Sequence, residues 1–275
     1  MITFSLVTYK TSKEDFETVT QCVLNSELDL KLYISDNSPN DSIRSWCTNS
    51  RVEYIFNNAN LGYGAGHNVA IRKALNENTD YHFVVNPDVS FEAGTNERII
   101  DFMNQHKEIG LLMPRVLNVD GSLQYLCKYL PTPFNLFIRG FASQSKLAKK
   151  MNDNFEMHDT DYDRLLYVPY ISGCYMVFRR DVLGKVLFDE NIFMHMEDCE
   201  ISRQVLDAGY KNVMWPGAVI THRWERATHK SIEMKNSTIK SARYYFNKYG
   251  WLFDAGRRKY NREAKIYNSN YQCSK

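Results

Sequence analysis

Apolar positions in the first half of the chain fall in short solid runs. They are Ile2–Tyr9 (ITFSLVTY), Leu30–Ser35 (LKLYIS), Val52–Phe56 (VEYIF), Tyr81–Val85 (YHFVV) and Ile109–Met113 (IGLLM). β-Branched and aromatic residues without polar alternation predict strands buried on both faces, as in a parallel sheet. The segments between them read as helices. Thr11-Ser12-Lys13-Glu14 offers capping residues for a helix to about Ser26. A glycine-rich turn at Gly62–Gly66 precedes a helix through about Asn76, and Gly94–His106 is helical. Strand–helix alternation of this kind predicts an α/β fold, a mostly parallel sheet flanked by helices.

The second half changes character. Leu126–Asp163 reads as an insertion, partly helical, at about 126–165. Tyr175–Arg179 returns to strand, and Glu197–Ala208 is a helix ended by Gly209. Val213–Trp215 reads as a short strand before Pro216-Gly217. From Ile232 the pattern is helical and basic. The expected organisation is a main domain over 1–225 and a C-terminal helical appendage over 226–275.

Composition narrows the class. The 275 residues are 44% hydrophobic and 24% charged, which excludes extensive disorder. A net charge of +2 is too balanced for nucleic acid as the main partner. The six cysteines stand singly, without a CxxC pair, which argues against a zinc or redox pair and fits a reducing cytosol. Met1 leads straight into a strand, so no signal peptide is expected, and no run of about 20 apolar residues exists to span a membrane. The expected location is cytoplasmic.

Ligands of open parallel sheets bind at the carboxyl ends of the strands. Thr8-Tyr9, Asp36, the Gly62 loop and Asp88 all fall at such ends. In Asn60-Leu61-Gly62-Tyr63-Gly64-Ala65-Gly66-His67-Asn68, the glycines permit either a structural turn or close approach to a ligand. The spacing is neither a P-loop nor GxGxxG. Asn86-Pro87-Asp88 stops an apolar strand abruptly. A carboxylate there suits a cation that bridges phosphates, or an ordinary Asx-type turn. His195-Met196-Glu197-Asp198-Cys199-Glu200 places three carboxylates at a helix start. That suits the helix dipole and equally a general base. His222, after an apolar segment, becomes a ligand candidate only if it meets Asp88 in space.

At these residues the sequence resembles glycosyltransferase family 2, with the GT-A fold, and most of all its rhamnosyltransferase-like branch. The resemblance runs in order through FSLVTYK, SDNSP, NNANLGYGAGHN, FVVNPDV, SGCYMVFRR, FMHMEDCEISRQVLDAGY and PGAVITH. It implies inverting transfer of a sugar from a nucleotide-diphosphate donor, dTDP-rhamnose or a UDP-sugar, to a hydroxyl of a glycan or lipid-linked acceptor. Thr8, Tyr9 and Asp36 match positions that hold base and ribose. Asn60, Gly62 and Asn68 match the loop around the nucleotide. Asp88 matches a carboxylate that binds Mg²⁺ or Mn²⁺, and Asn86 replaces the first Asp of that motif. Asp198, beside Glu197, matches the catalytic base, Arg203 a basic residue after it, and His222 a histidine near metal or diphosphate.

Two other readings differ in class. A nucleotidyltransferase would carry a basic, glycine-rich loop after its first strand, where this chain has TYKTSKEDF. An inactive nucleotide-sugar-binding scaffold would not need Asp88 and Glu197-Asp198. Pro133–Phe141, with Arg139, and the basic-aromatic stretch Arg243–Lys259 suit either structural packing, including a homodimer interface, or peripheral contact with an anionic membrane.

Overall fold

A computed structural model describes residues 1–141, 145–224 and 232–270. Cys273 lies outside them, as does the side chain of Arg139. In chain order the elements are β1 (Ile2–Thr8), α1 (Lys13–Leu24), β2 (Leu30–Asp36), β3 (Val52–Phe56), α2 (Tyr63–Asn76), β4 (Tyr81–Val85), β5 (Val89–Phe91) and α3 (Thr95–Gln105). There follow β6 (Ile109–Leu117), β7 (Cys127–Lys128), α4 (Pro133–Phe141), α5 (Lys146–Phe155), β8 (Leu166–Tyr167), β9 (Tyr170–Ile171), β10 (Tyr175–Arg179) and α6 (Arg180–Leu183). The chain continues through α7 (Glu197–Asp207), β11 (Lys211–His222), α8 (Ile232–Tyr249) and α9 (Ala255–Asn270).

The main sheet runs β3-β2-β1-β4-β10-β6-β11-β5. The strands β3, β2, β1 and β4 are parallel, β10 is antiparallel to both β4 and β6, and β11 is parallel to β6. The carboxyl ends of β1, β2, β4, β6 and β11 therefore share one edge. The residues that lead into β10 lie there too, since Tyr175 is opposite Val85. The expected mostly parallel α/β sheet is present.

The strand ending in His222 is longer than expected. Rather than stopping before Pro216-Gly217, β11 continues through a register shift between Trp215 and Val219. Proline is tolerated where the ladder is already interrupted. The extension carries His222 to the sheet edge that holds the β4 terminus.

The glycine-rich segment also differs from a turn. Only Gly62 precedes α2, at φ +85°, whereas Gly64 and Gly66 lie inside the helix. A Cβ at Gly66 would lie 2.9 Å from Val7 Cγ2, and one at Gly64 2.8 Å from Phe188 Cβ. These two glycines are packing devices that let α2 approach the sheet and the loop at Phe188.

The expected insertion builds part of the core. Cys127 and Leu130 are buried with it, and β7 pairs β9. The C-terminal helices dock on the same core through Tyr245, Phe246, Tyr260 and Ala264. Arg203 on α7 makes a buried ion pair with Asp254, 3.1 Å, at the α8–α9 junction. Its guanidinium also lies over the rings of Tyr249 and Tyr260. On α9, Asn261 bonds both backbone groups of Leu130, and Asn268 those of Tyr167.

Candidate active site

Two groups of side chains occupy the shared edge. The first surrounds Asp88 in the turn after β4. His222 Nε2 lies 3.3 Å from Asp88 Oδ1, and Arg223 N donates to the Asp88 carbonyl, 3.0 Å. Gln124 fixes the state of the imidazole. Its Nε2 donates to the His222 carbonyl, 2.6 Å, which leaves its Oε1 to accept from His222 Nδ1, 3.0 Å. The proton of a neutral His222 is therefore on Nδ1, and its Nε2 lone pair faces the Asp88 carboxylate. Such a pair becomes attractive only with a proton or a cation between the two atoms.

Asn86 adds an oxygen. Its backbone N donates to the Cys174 carbonyl, 3.0 Å, while its buried side-chain Oδ1 has no partner among the described residues. A carboxylate, an imidazole nitrogen turned toward it and an orphaned amide oxygen are a donor set that fits a divalent cation. No cluster of three His, Cys, Asp or Glu ligands exists among the described residues. Any ion here would therefore draw further ligands from phosphate or water.

The second group is at the start of α7. His195 and Met196 both adopt left-handed conformations, at φ 63° and 74°. Two such non-glycine residues cost about 1–3 kcal/mol each and are typical of functional turns. This turn delivers Glu197 and Asp198 to the edge. Asp198 accepts from Tyr170 OH, 3.0 Å, Cys199 N, 2.9 Å, and Gly173 N, 3.4 Å. Glu197 is buried, and its Oε2 has no partner among the described residues. Burial, then the charge of Asp198, pushes the Glu197 carboxyl well above the usual range. The two adjacent carboxyls thus have different surroundings. Burial favours the acid form of Glu197, whereas Asp198 accepts from three donors and is partly open to solvent.

Tyr63 links the two groups. Burial raises its phenol well above the normal value, and the nearby carboxylates of Asp198 and Asp88 add to that rise. The hydroxyl donates to the Gly173 carbonyl. Lys128 on β7 lies over the Tyr170 ring, 4.8 Å from its centroid, so the insertion brings a cation beside the tyrosine that holds Asp198.

The other expected residues have diverse placements. Asp36 is wholly buried and accepts from Thr8 Oγ1, 3.0 Å, Tyr54 OH, 2.6 Å, and Ser38 N, 2.9 Å. It organises the ends of β1 and β2, while Tyr9 next to Thr8 is half exposed, with the Lys10 ammonium over its ring, 5.4 Å from the centroid. Asn60 caps its own loop by accepting from Gly62 N, 3.1 Å. Asn68 is not brought to the site. Its amide is spent on the Phe188 backbone and on Glu190, so it fastens α2 to the loop before α7. Arg203 is likewise committed to Asp207 and Asp254 and fixes the C-terminal helices.

Gln124, Lys128, Tyr54 and Tyr170 had no signal in the sequence, and Tyr63 lay within the glycine-rich segment without being singled out there. Each acts through a partner far along the chain, as Gln124 does across 98 positions to His222.

Comparison with known proteins agrees with this architecture. An N-acetylglucosaminyl-diphospho-decaprenol L-rhamnosyltransferase of Mycobacterium tuberculosis is 27% identical over 221 residues, 74% of this chain and 70% of the relative. Among solved structures, GalNAc-T7 with UDP, GalNAc and Mn²⁺ superposes with a TM-score of 0.61 at 12% identity, over 90% of this chain and half of that one. The mannosyltransferase PcManGT of Pyrobaculum calidifontis, in complex with GDP-Man and Mn²⁺, gives 0.60 at 15% identity, over 97% of this chain and 69% of that one. At such identities the two structures establish the GT-A fold alone. The sequence profile of Glycosyl transferase family 2 matches residues 6–187, and the chain belongs to that family.

Proposed function

We propose that this glycosyltransferase moves a sugar from a nucleotide-diphosphate donor to an acceptor hydroxyl with inversion, with Asp198 as general base. The observation that carries the reading is the split between the two carboxyls. Glu197 is buried, which raises its carboxyl and favours its acid form, while Asp198 is partly exposed and accepts hydrogen bonds from three sides. Asp198 takes the proton of the attacking hydroxyl, and Tyr170 and the Gly173 amide hold the carboxylate in place. A single displacement with one base inverts the anomeric carbon, and no second carboxylate stands out as a nucleophile for a double displacement.

Asp88, His222 and Asn86 would hold a divalent cation. When bound, such an ion neutralises charge on the departing diphosphate. Thr8, Asp36 and Tyr9 form the end of the sheet where base and ribose would rest, with Tyr9 as a stacking face. The rhamnosyltransferase relative makes dTDP-rhamnose the first donor to test, followed by UDP- and GDP-linked sugars. The named substrate of that relative supports a lipid-linked glycan as the acceptor class.

The test is a donor panel with Mn²⁺ or Mg²⁺, followed by proton NMR of the product. Turnover of one nucleotide sugar to the opposite anomer supports the reading. Retention of configuration, or nucleotidyl transfer in place of sugar transfer, overturns it.

A further inference from the structure

The basic, aromatic C-terminal stretch divides residue by residue. Tyr245 and Phe246 enter the core, and α8 then stops at Gly250, φ +106°. The tight turn that follows pushes Trp251, Leu252 and Phe253 outward, with Leu252 74% and Phe253 82% exposed. Trp251 keeps its ring against Phe246, 5.3 Å between centroids, and its indole N–H on Asn247 Oδ1, while Leu252 and Phe253 at the loop tip stay largely in solvent.

The next helix supplies charge. Its buried positions are Arg257, Tyr260, Ala264 and Asn268, so Arg258, Lys259, Arg262 and Lys265 lie on the outer side. No carboxylate among the described residues lies within ion-pair distance of these four. Arg258 sits over the Phe253 ring, 5.8 Å from its centroid, so cation and apolar tip form one surface. A cavity of about 470 Å³ opens there, walled by Arg258, Arg262, Lys265, Asn261, Thr132 and Leu252. It is large enough for a phosphodiester headgroup. Arg257 ties its two sides by donating to the carbonyls of Pro131 and Leu252.

We propose that this surface docks on an anionic lipid bilayer, with Trp251-Leu252-Phe253 inserted at the interface and a headgroup phosphate seated among Arg258, Arg262 and Lys265. Apolar tip plus cationic collar is the chemistry of an interfacial anchor, and each component alone is weak. The placement has a use. Lys128 beside Tyr170 and Thr132 in the cavity are four residues apart, no more than about 14 Å along the chain. A membrane-bound acceptor would thus be presented close to Asp198.

The full chain is sedimented with vesicles of phosphatidylcholine, alone or mixed with phosphatidylglycerol, at low and high salt. Binding to the mixed vesicles only, weakened by salt, is expected. Arg258→Glu, Arg262→Glu and Lys265→Glu should each weaken it at least fivefold. Leu252→Ser with Phe253→Ser should weaken it while the salt dependence persists. All are exposed positions, so unchanged thermal midpoints accompany these losses. No binding to either vesicle overturns the proposal. So does a rise in midpoint with inorganic phosphate that depends on these cations when vesicles bind nothing, which would mark a site for soluble anions. A dimer that dissociates in the Leu252/Phe253 variant and does not bind vesicles also overturns it, in favour of a second copy as partner. The readout needs neither nucleotide nor sugar, so attachment and sugar transfer fail or hold separately.

Discussion

His222 Nε2 faces Asp88 Oδ1 at 3.3 Å, while Gln124 holds the opposite ring nitrogen as a donor. In the proposed metal site this pair would hold the cation between them. Mn²⁺ binding, measured by calorimetry or electron paramagnetic resonance, should be lost in Asp88→Ala. It should weaken about 10–100-fold in Gln124→Leu, which frees the imidazole without touching a ligand. Asn86→Asp should be tolerated better than any change at Asp88. Full sugar transfer in excess EDTA would exclude a metal role.

Asp198→Asn keeps shape and removes the proton acceptor, so turnover should fall about 10²–10⁴-fold with donor affinity little changed. Burial favours the acid form of Glu197, so Glu197→Gln changes the charge of the site little and should keep most of the activity. Steady-state kinetics of the two variants decide the assignment. Wild-type turnover in Asp198→Asn with loss in Glu197→Gln would reverse it.

Glu197 also predicts a pH dependence of stability. Its folded-state affinity for a proton is raised above that of an ordinary glutamate, 4.5, by burial. The native state therefore holds more protons than the unfolded chain above that pH, and stability falls as pH rises. Glu197→Gln removes this burden. Its thermal midpoint should exceed that of the wild type by a margin that widens from pH 5 to pH 8. A constant margin would mean that the carboxyl is not buried in its acid form.

His82 predicts the opposite sign. Burial lowers its imidazole to about 3, while it bonds Ser5 Oγ and Thr3 Oγ1. The neighbouring His67 is lowered too, again first by burial. Below pH 6.5 the unfolded chain takes protons that the native state refuses. Urea denaturation should therefore show stability falling by up to about 1.4 kcal/mol per pH unit for each histidine between pH 6.5 and 5. A flat profile over that interval would contradict a neutral pair.

Arg203 holds Asp254 in a buried pair that anchors the C-terminal helices. Arg203→Met leaves an uncompensated buried carboxylate and should cost about 3–5 kcal/mol in urea denaturation. The double variant with Asp254→Asn should recover part of that loss. Additive losses would show that the two residues act apart.

The parts of the fold that were readable in the sequence share a physical cause. Strands β4 and β10 are mainly apolar and buried across their length, and β3, an edge strand that is only part-buried, still carries enough β-branched and aromatic residues for its boundaries to match the pattern. The two-residue strands β8 and β9 are too short to carry a pattern, and Pro216 hid the continuation of β11 because a bulge accommodates it. Asp88 reaches the sheet edge as the order of strand ends implied, and His222 meets it there, 3.3 Å away, only because β11 runs on past Pro216. Asn68 and Arg203 illustrate the opposite difficulty. Position along the chain brings them near the site, but their side chains are consumed by the Phe188 backbone and by Asp254. Side-chain commitment depends on partners from distant segments, which no local pattern encodes.

The two asparagines of α9 each offer one donor and one acceptor to a backbone peptide, as an adjoining strand would. They are rungs of a ladder supplied by a helix. A true strand shares its load over many backbone groups that substitution cannot remove. These rungs are side chains, so one codon change can delete either. The segments they grip flank the wall of the site formed by Lys128 and Tyr170. That wall can therefore be reshaped through α9 while the rest of the sheet keeps its register.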